Sequence, residues 1–421
     1  MDISCSSHFY VAFLVEADFS DCKKTMGIKD FGQLYKANGA TLTELFSEHD
    51  SDGHLKNIIG VDASVLMIRH LKSSDNAQDR LHSEPPLPII SLGHYCRDFC
   101  KPIYKANGII IMVFDGAASV IKAEEHQRRY GNSTEKQRRL SELYTKKIDG
   151  THLVNDETLT EIRTLRMELL TIRPDMIHTV MEVMKTAFGS QVHFIGAPFE
   201  ADHQLGYLYI NGALDYIFTI DSDVMAFGTD VIKALNANGK CSLIKFDNLI
   251  KEIPNSLHVN PPIVRLSLPI LHHLGCFLGN CYIMRVHGNG KVKAKKFISS
   301  LADNNGNFHA DEEIVYNAID KAIKKKIKDE KERNEWMKRW YDAHAMFTNG
   351  PVFILSSHDN KSLRDAILEE NYAFNVSIGQ MYGTTQPWSL DEELTLLNDV
   401  EMSVLILFKC FTCCSRSLAL S

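Results

Sequence analysis

Three short β-type runs in this chain each close on an acid: NIIGVD at Asp62, GIIIMVFDG at Asp115, and LDYIFTIDSD at Asp221 and Asp223. A fourth, QVHFIGAPFEAD, passes through Pro198 into a helical pattern that carries Glu200 and Asp202. Short β-branched runs alternating with long helical patterns predict a parallel sheet with covering helices. In such sheets ligands collect at the carboxyl ends of the strands, where these acids lie in sequence.

Six carboxylates from four segments would then meet along one sheet edge. Like charges brought together in a folded core repel and lose hydration, so something positive must sit among them. Magnesium is a hard cation that prefers oxygen ligands and is held by a few carboxylates together with substrate phosphate oxygens. Two such ions about 4 Å apart can activate an attacking water and stabilise a leaving oxygen in phosphodiester hydrolysis. The plainer reading is helix capping and turn chemistry, since Asp after a strand is common. Capping explains any one of these acids but does not explain six together.

With 421 residues, the chain suits one large domain with appendages, or two domains. A net charge of -7 argues only weakly against a nucleic-acid partner, because clustered carboxylates lower the total while basic patches elsewhere do the binding. The ten cysteines are scattered apart from Cys410, Cys413 and Cys414. A lone CxxC without a second pair or nearby histidines reads as free thiols in a reducing compartment. The apolar run Phe9 to Val15 has no basic residue before it, so it is a poor secretory signal. The tail SVLILFKCFTCC is too short to span a bilayer, so no membrane partner is expected.

The blocks MGIKDF (26 to 31), VDAS (61 to 64), VFDG (113 to 116), APFEADHQLGYL (197 to 208) and TIDSDVMAFG (219 to 228) resemble those of the structure-specific 5′ nucleases that include flap endonuclease and XPG. The wording EADxQLxYL and DSDxxAFG is similar to the family's exonuclease 1 branch. The resemblance spans Met26 to Phe297, and more faintly 347 to 383. It implies an α/β fold: a PIN-like parallel-sheet core with a helical arch and a helix-two-turn-helix region. By the same likeness, 26–150 is the amino-terminal part of the core with the arch and 151–250 its internal part. Residues 251–383 hold the helix-two-turn-helix and a helical region, and 384–421 form a tail of unreadable role. Residues 1–25 are either an extension that folds away or precede a true start at Met26.

The resemblance makes Asp62, Asp115, Glu200, Asp202, Asp221 and Asp223 ligands for Mg2+, expected as two ions, and puts Gly27 close to the site. It implies a DNA substrate with 5′ ends, flaps or gaps, repair or replication proteins as partners, and a nuclear location. The segment Ile121 to Lys147 carries eight Lys or Arg against four Glu on a helical pattern. Alone it reads as a solvated helix. The family arch has a Lys seven and an Arg fourteen residues after the Asp of FDG, and Lys122 and Arg129 match both spacings. There Lys would place a point charge near the scissile phosphate and Arg would grip phosphate oxygens through paired hydrogen bonds.

The stretch FLGNCYIMRVHGNGKVKAKKF (277 to 297) is similar to the family's helix-two-turn-helix, whose glycine turn approaches duplex backbone and can hold a potassium ion. Gly288 and Gly290 permit close approach and unusual dihedrals, and Lys291, Lys293, Lys295 and Lys296 follow at once. The family pattern Gly-x-Asp-Tyr reads here Gly279, Asn280, Cys281, Tyr282, so a thiol stands where a further metal-site carboxylate is expected. A neutral thiol offers little to magnesium, and Ile253 to Ala302 holds no Asp or Glu to replace it. Two functions follow: a magnesium-dependent 5′ exonuclease or flap endonuclease, or a catalytically impaired relative that binds branched or ended DNA or a protein partner. The charged pattern 319 to 340 is a solvated helix by default, and Lys324 to Lys326 could serve nuclear import or DNA contact.

Overall fold

The computed structural model describes residues 28–50, 57–73, 89–117, 119–122, 127, 131, 133–148, 156–169, 171–259, 265–286, 288–302, 312–357, 362–368 and 372–380. Gly27, Arg129, the CxxC tail and residues 1–25 and 384–421 lie outside them. The chain is an α/β protein built on a seven-stranded sheet. Its strands are β1 (Asn38–Thr41), β2 (Ile58–Asp62), β3 (Ile109–Phe114), β4 (Val192–Gly196), β5 (Tyr216–Phe218), β6 (Val231–Leu235) and β7 (Lys240–Ile244). They lie in the order β1, β7, β6, β5, β2, β3, β4.

Strands β6, β5, β2, β3 and β4 pair in parallel, so their carboxyl ends share one edge. The expectation of a parallel sheet needs one correction: β7 runs antiparallel to both β6 and β1. The cause is local. Asn236 accepts the Gly239 amide on its carbonyl and the Asn238 and Lys240 amides on its side chain, and Gly239 has φ 77°. A tight turn of this kind joins neighbouring antiparallel strands and leaves no room for a crossover helix.

The continuous apolar run of β3 is explained by burial on both faces. Ile109, Ile111 and Val113 enter one core cluster, and Ile110, Met112 and Phe114 enter the other. The second cluster is closed by the helices Ala63–Ser73, Ile90–Lys105 and Pro174–Phe188. The first is closed by Ala201–Ile210, Phe246–Leu257 and Leu268–Leu278. Gly60 suits this packing, since a Cβ there would come within 2.5 Å of Leu214 and 2.7 Å of Leu205 and would push their terminal methyls aside.

Beyond the sheet, the helices Leu268–Leu278 and Lys291–Ser300 are clamped by the stacked rings of Phe277 and Phe297, 4.6 Å apart. The helices Glu312–Ile323 and Glu330–Asn349 follow, then a strand pair, Pro351–Ser357 with Tyr372–Gln380, that sequence reading did not anticipate. Gln204 joins this pair to the core: its amide donates to the Phe353 carbonyl and accepts from the Phe353 amide. Among the described residues no helix is long and apolar enough to cross a membrane.

Candidate metal and nucleic-acid site

The four acidic segments do arrive at one sheet edge. Asp62 is the last residue of β2, and Asp115 follows the end of β3. Glu200 and Asp202 open the helix after β4, and Asp221 and Asp223 lie just beyond β5. The strand β5 is shorter than LDYIFTIDSD suggests, because Thr219 turns the chain: its hydroxyl donates to Asp62 and accepts the Asp221 amide. Gly116 fixes the distance between two of the segments. Its amide donates to the Phe199 carbonyl at 2.6 Å, and a Cβ there would stand 2.2 Å from the Ala197 carbonyl.

Capping and convergence prove to be compatible. Asp62 caps the helix after β2 by accepting the Val65 amide at 2.9 Å. Asp115 reaches across to accept the Ala201 amide at 2.9 Å, serving a helix that its own strand does not lead into. Asp221 accepts the Asp223 amide at 3.0 Å. Each of these bonds uses one carboxylate oxygen for local structure. Two acids keep a buried oxygen with no hydrogen-bond partner, Asp202 Oδ1 and Asp223 Oδ1.

The charges feel one another. Burial, then Asp115 and Asp221, push the carboxyl of Asp62 well above the usual carboxylate range. Burial, then Asp221, Asp62 and Asp223, do the same to Asp202. Asp223, 2% exposed, is pushed up to about 7 by burial and Asp221. Such shifts mark oxygen groups that lack a matched cation. Asp115 itself is exposed and Asp221 half-buried.

Two lysines supply positive charge. Lys122, in the turn Val120–Lys122, ion-pairs with Glu200 Oε2 at 2.6 Å and stands 4.8 Å over the Tyr282 ring. Lys233, on β6, was not foreseen from the sequence, and its ammonium donates to the Asp221 carbonyl. The only signal for it is a lysine inside an otherwise apolar strand beside the acidic loop. Cys281 is also at the centre: its thiol donates to Asp223 Oδ2 at 3.0 Å, and burial followed by Asp223 keeps that thiol neutral. The amino-terminal end of the described chain is close by, with Ser222 donating to the Ile28 carbonyl at 3.4 Å.

As the side chains stand, no three His, Cys, Asp or Glu groups among the described residues close on a single point. The donor set nevertheless suits a hard divalent ion: carboxylate oxygens dominate, and two of them are buried without partners.

The lysine cluster forms a second, separate feature. Gly288 has φ 81°, as the close turn requires, whereas Gly290 is extended with φ -114° and needs no special freedom. Gly290 instead caps the helix Lys291–Ser300, whose exposed start carries Lys291 and Lys296, with Lys293 and Lys295 half-buried. Lys293 donates to Asn289, and its ammonium is weakened by burial and then by Lys326 and Lys296. Lys326 comes from the charged segment after Ile323 and lies 3.7 Å from where a Cβ of Gly288 would be. The basic surface thus draws on two segments, only one of which the glycine-lysine motif identifies.

A doubly covered α/β sheet thus carries an acidic centre at its carboxyl edge, and a glycine turn followed by a basic helix lies beyond it. Residues 191–262 match the XPG I-region, a stretch that runs from β4 through the acidic loop to just past the helix Phe246–Leu257. The chain is 30% identical to exonuclease 1 of Xenopus laevis over 45% of this chain and 23% of that protein. It is 26% identical to exodeoxyribonuclease 1 of Schizosaccharomyces pombe over 53% of this chain and 34% of that one. Residues 191–262 are thus similar to the I-region of the XPG family, and the chain is similar to exonuclease 1 over the stretch the two share. The matched region spans about a quarter to a third of the length of these two relatives. A solved structure of flap endonuclease-1 from Methanococcus jannaschii covers 83% of this chain and 88% of its own, at 16% identity and a TM-score of 0.44, too loose a likeness to add anything.

Proposed function

We propose that the chain is a divalent-metal-dependent 5′ nuclease that hydrolyses phosphodiester bonds at DNA 5′ ends, flaps or gaps, working in repair or replication in the nucleus. The observation that carries this reading is the meeting of acids from four segments at one sheet edge beside Lys122. Asp62, Asp115, Glu200, Asp202, Asp221 and Asp223 would hold magnesium. When bound, magnesium supplies an activated water and positive charge for the leaving oxygen. Lys122, held by Glu200 and the Tyr282 ring, would give its ammonium to a non-bridging phosphate oxygen, where charge develops in the transition state. Arg129 is proposed to grip the same phosphate from the arch. Gly288, Gly290, Lys291, Lys293, Lys295 and Lys296 would take the duplex backbone, positioning it without reading sequence. Potassium at that turn belongs to the same proposal.

A second reading, a DNA binder that cleaves poorly, is favoured by one observation: Cys281 binds Asp223 through hydrogen where the family pattern has an oxygen ligand. The test is purified protein with a 5′-flap DNA, with and without Mg2+, alongside Asp223→Ala. Magnesium-dependent cutting lost in Asp223→Ala, with duplex binding kept, supports the nuclease. Binding without cutting selects the second reading, and equal cutting by both proteins removes Asp223 from the centre.

A further inference from the structure

Lys233 occupies an unusual place. Its neighbours Val231 and Ile232 are buried on opposite faces of the sheet, so strand alternation turns Lys233 to the face of Val231, the face that Asp62 and Thr219 share beyond Ile58 and Ile217. A β-bulge marks the same position. Ile232 pairs with Leu243 and Ala234 with Ser242, which leaves Lys233 as the extra residue without a partner on β7. Bulges of this kind re-aim one side chain and recur beside functional sites. Here the side chain reaches the neighbouring strand end, where its ammonium donates to the Asp221 carbonyl. Phe218 pairs with Ile232, so the carboxyl end of β5 and the bulge are adjacent, and the loop carrying Asp221 and Asp223 starts at that point.

The surroundings are strongly negative. The Asp221 carbonyl it binds belongs to the loop of Asp221 and Asp223, and Asp62 is tied to Thr219 on the adjoining strand end. An ordinary strand lysine extends its stem over apolar surface and keeps its head in water. Lys233 does the reverse and carries its charge into the acidic centre. On the same loop, the neutral thiol of Cys281 is bonded to Asp223 Oδ2, while Asp223 Oδ1 stays buried and unpartnered. The loop thus meets an ammonium at Asp221 and a thiol at Asp223.

We propose that Lys233 is a built-in cation of this centre, taking over the neutralisation that a second divalent ion would provide, so that the chain loads one divalent ion rather than two. The inference rests on the reading of the acids as a metal centre and fixes how many ions that centre holds. Lys233 acts through the carboxylates and is a positioning residue.

The test is calorimetric titration of Mn2+ into the full chain without DNA, for the unmodified protein, Lys233→Arg, Lys233→Met and Lys233→Gln. The unmodified protein and Lys233→Arg are expected to bind one Mn2+ per chain, and Lys233→Met and Lys233→Gln two. Melting without metal should fall in both neutral variants and recover in Mn2+, whereas loss of a merely structural tether to Asp221 would lower melting equally with and without the ion. If Lys233→Met does not fold, Lys233→Gln decides. Two ions in the unmodified protein, or the same stoichiometry in every variant, overturns the proposal while leaving the metal centre intact. No Mn2+ binding by any of the four proteins overturns the metal-centre reading itself, and this proposal with it.

Discussion

The thiol of Cys281 donates its hydrogen to Asp223 Oδ2 across 3.0 Å, joining the turn after helix Leu268–Leu278 to the loop after β5. This bond places position 281 beside the acidic loop and gives the residue there a direct effect on Asp223. Cys281→Asp should therefore put a second carboxylate against an already crowded one. Without metal the variant is expected to melt lower, because a new buried like charge has no partner. With Mg2+ it should melt higher than the unmodified chain, and the midpoint for Mg2+ should fall on the order of tenfold. Melting curves across a Mg2+ series check both halves, and an unchanged midpoint would place Cys281 outside the ion's reach.

Lys122→Ala removes the ammonium held by Glu200 and Tyr282. If that ammonium meets the scissile phosphate, single-turnover cleavage of a 5′-flap DNA should slow on the order of 100-fold. Duplex affinity should change little, because the basic helix Lys291–Ser300 supplies separate contacts.

Arg364 makes a bidentate pair with Asp215, at 3.0 and 3.1 Å, and both side chains are buried. Asp215 also accepts the Ile58 amide at 2.6 Å, so the pair secures the starts of β2 and β5. Arg364→Ala leaves a buried carboxylate uncompensated and should cost about 3–5 kcal/mol of stability, read by urea unfolding. Mn2+ stoichiometry at the acidic centre should not change.

The histidines behind the acidic loop predict a pH response. His272 bonds the Ala226 carbonyl at 2.7 Å, and His273 stacks on His344 at 4.1 Å. Burial, then His344, lowers His272 to about 3, and burial lowers His344 to about 4. Both stay neutral in the folded chain while the unfolded chain takes up protons near 6.5. With folded values depressed, the stabilisation is fully present above that unfolded value and is lost as pH falls toward about 4. The histidines lower the melting temperature across this window against the opposite contribution of the raised carboxyls of Asp62, Asp202 and Asp223, so His344→Phe should shift the pH slope of melting toward greater stability at low pH. An unchanged slope in that variant would remove His344 as a source.

The sequence by itself determined the strands that end in acids. It also located the turn at Gly288 and the departure at Cys281. These are legible because burial on two faces, close backbone approach and positive φ each demand particular residue types at particular positions. Only the tertiary structure decided that Asp115 caps a helix belonging to another strand, that β7 runs backward, and that Lys326 joins the lysines of the glycine turn. It alone placed Lys233, because the loop whose Asp221 carbonyl the ammonium binds comes from the neighbouring strand β5. Local sequence constrains local conformation, whereas the field at a carboxylate is summed over groups distant in sequence, and folding alone brings them together.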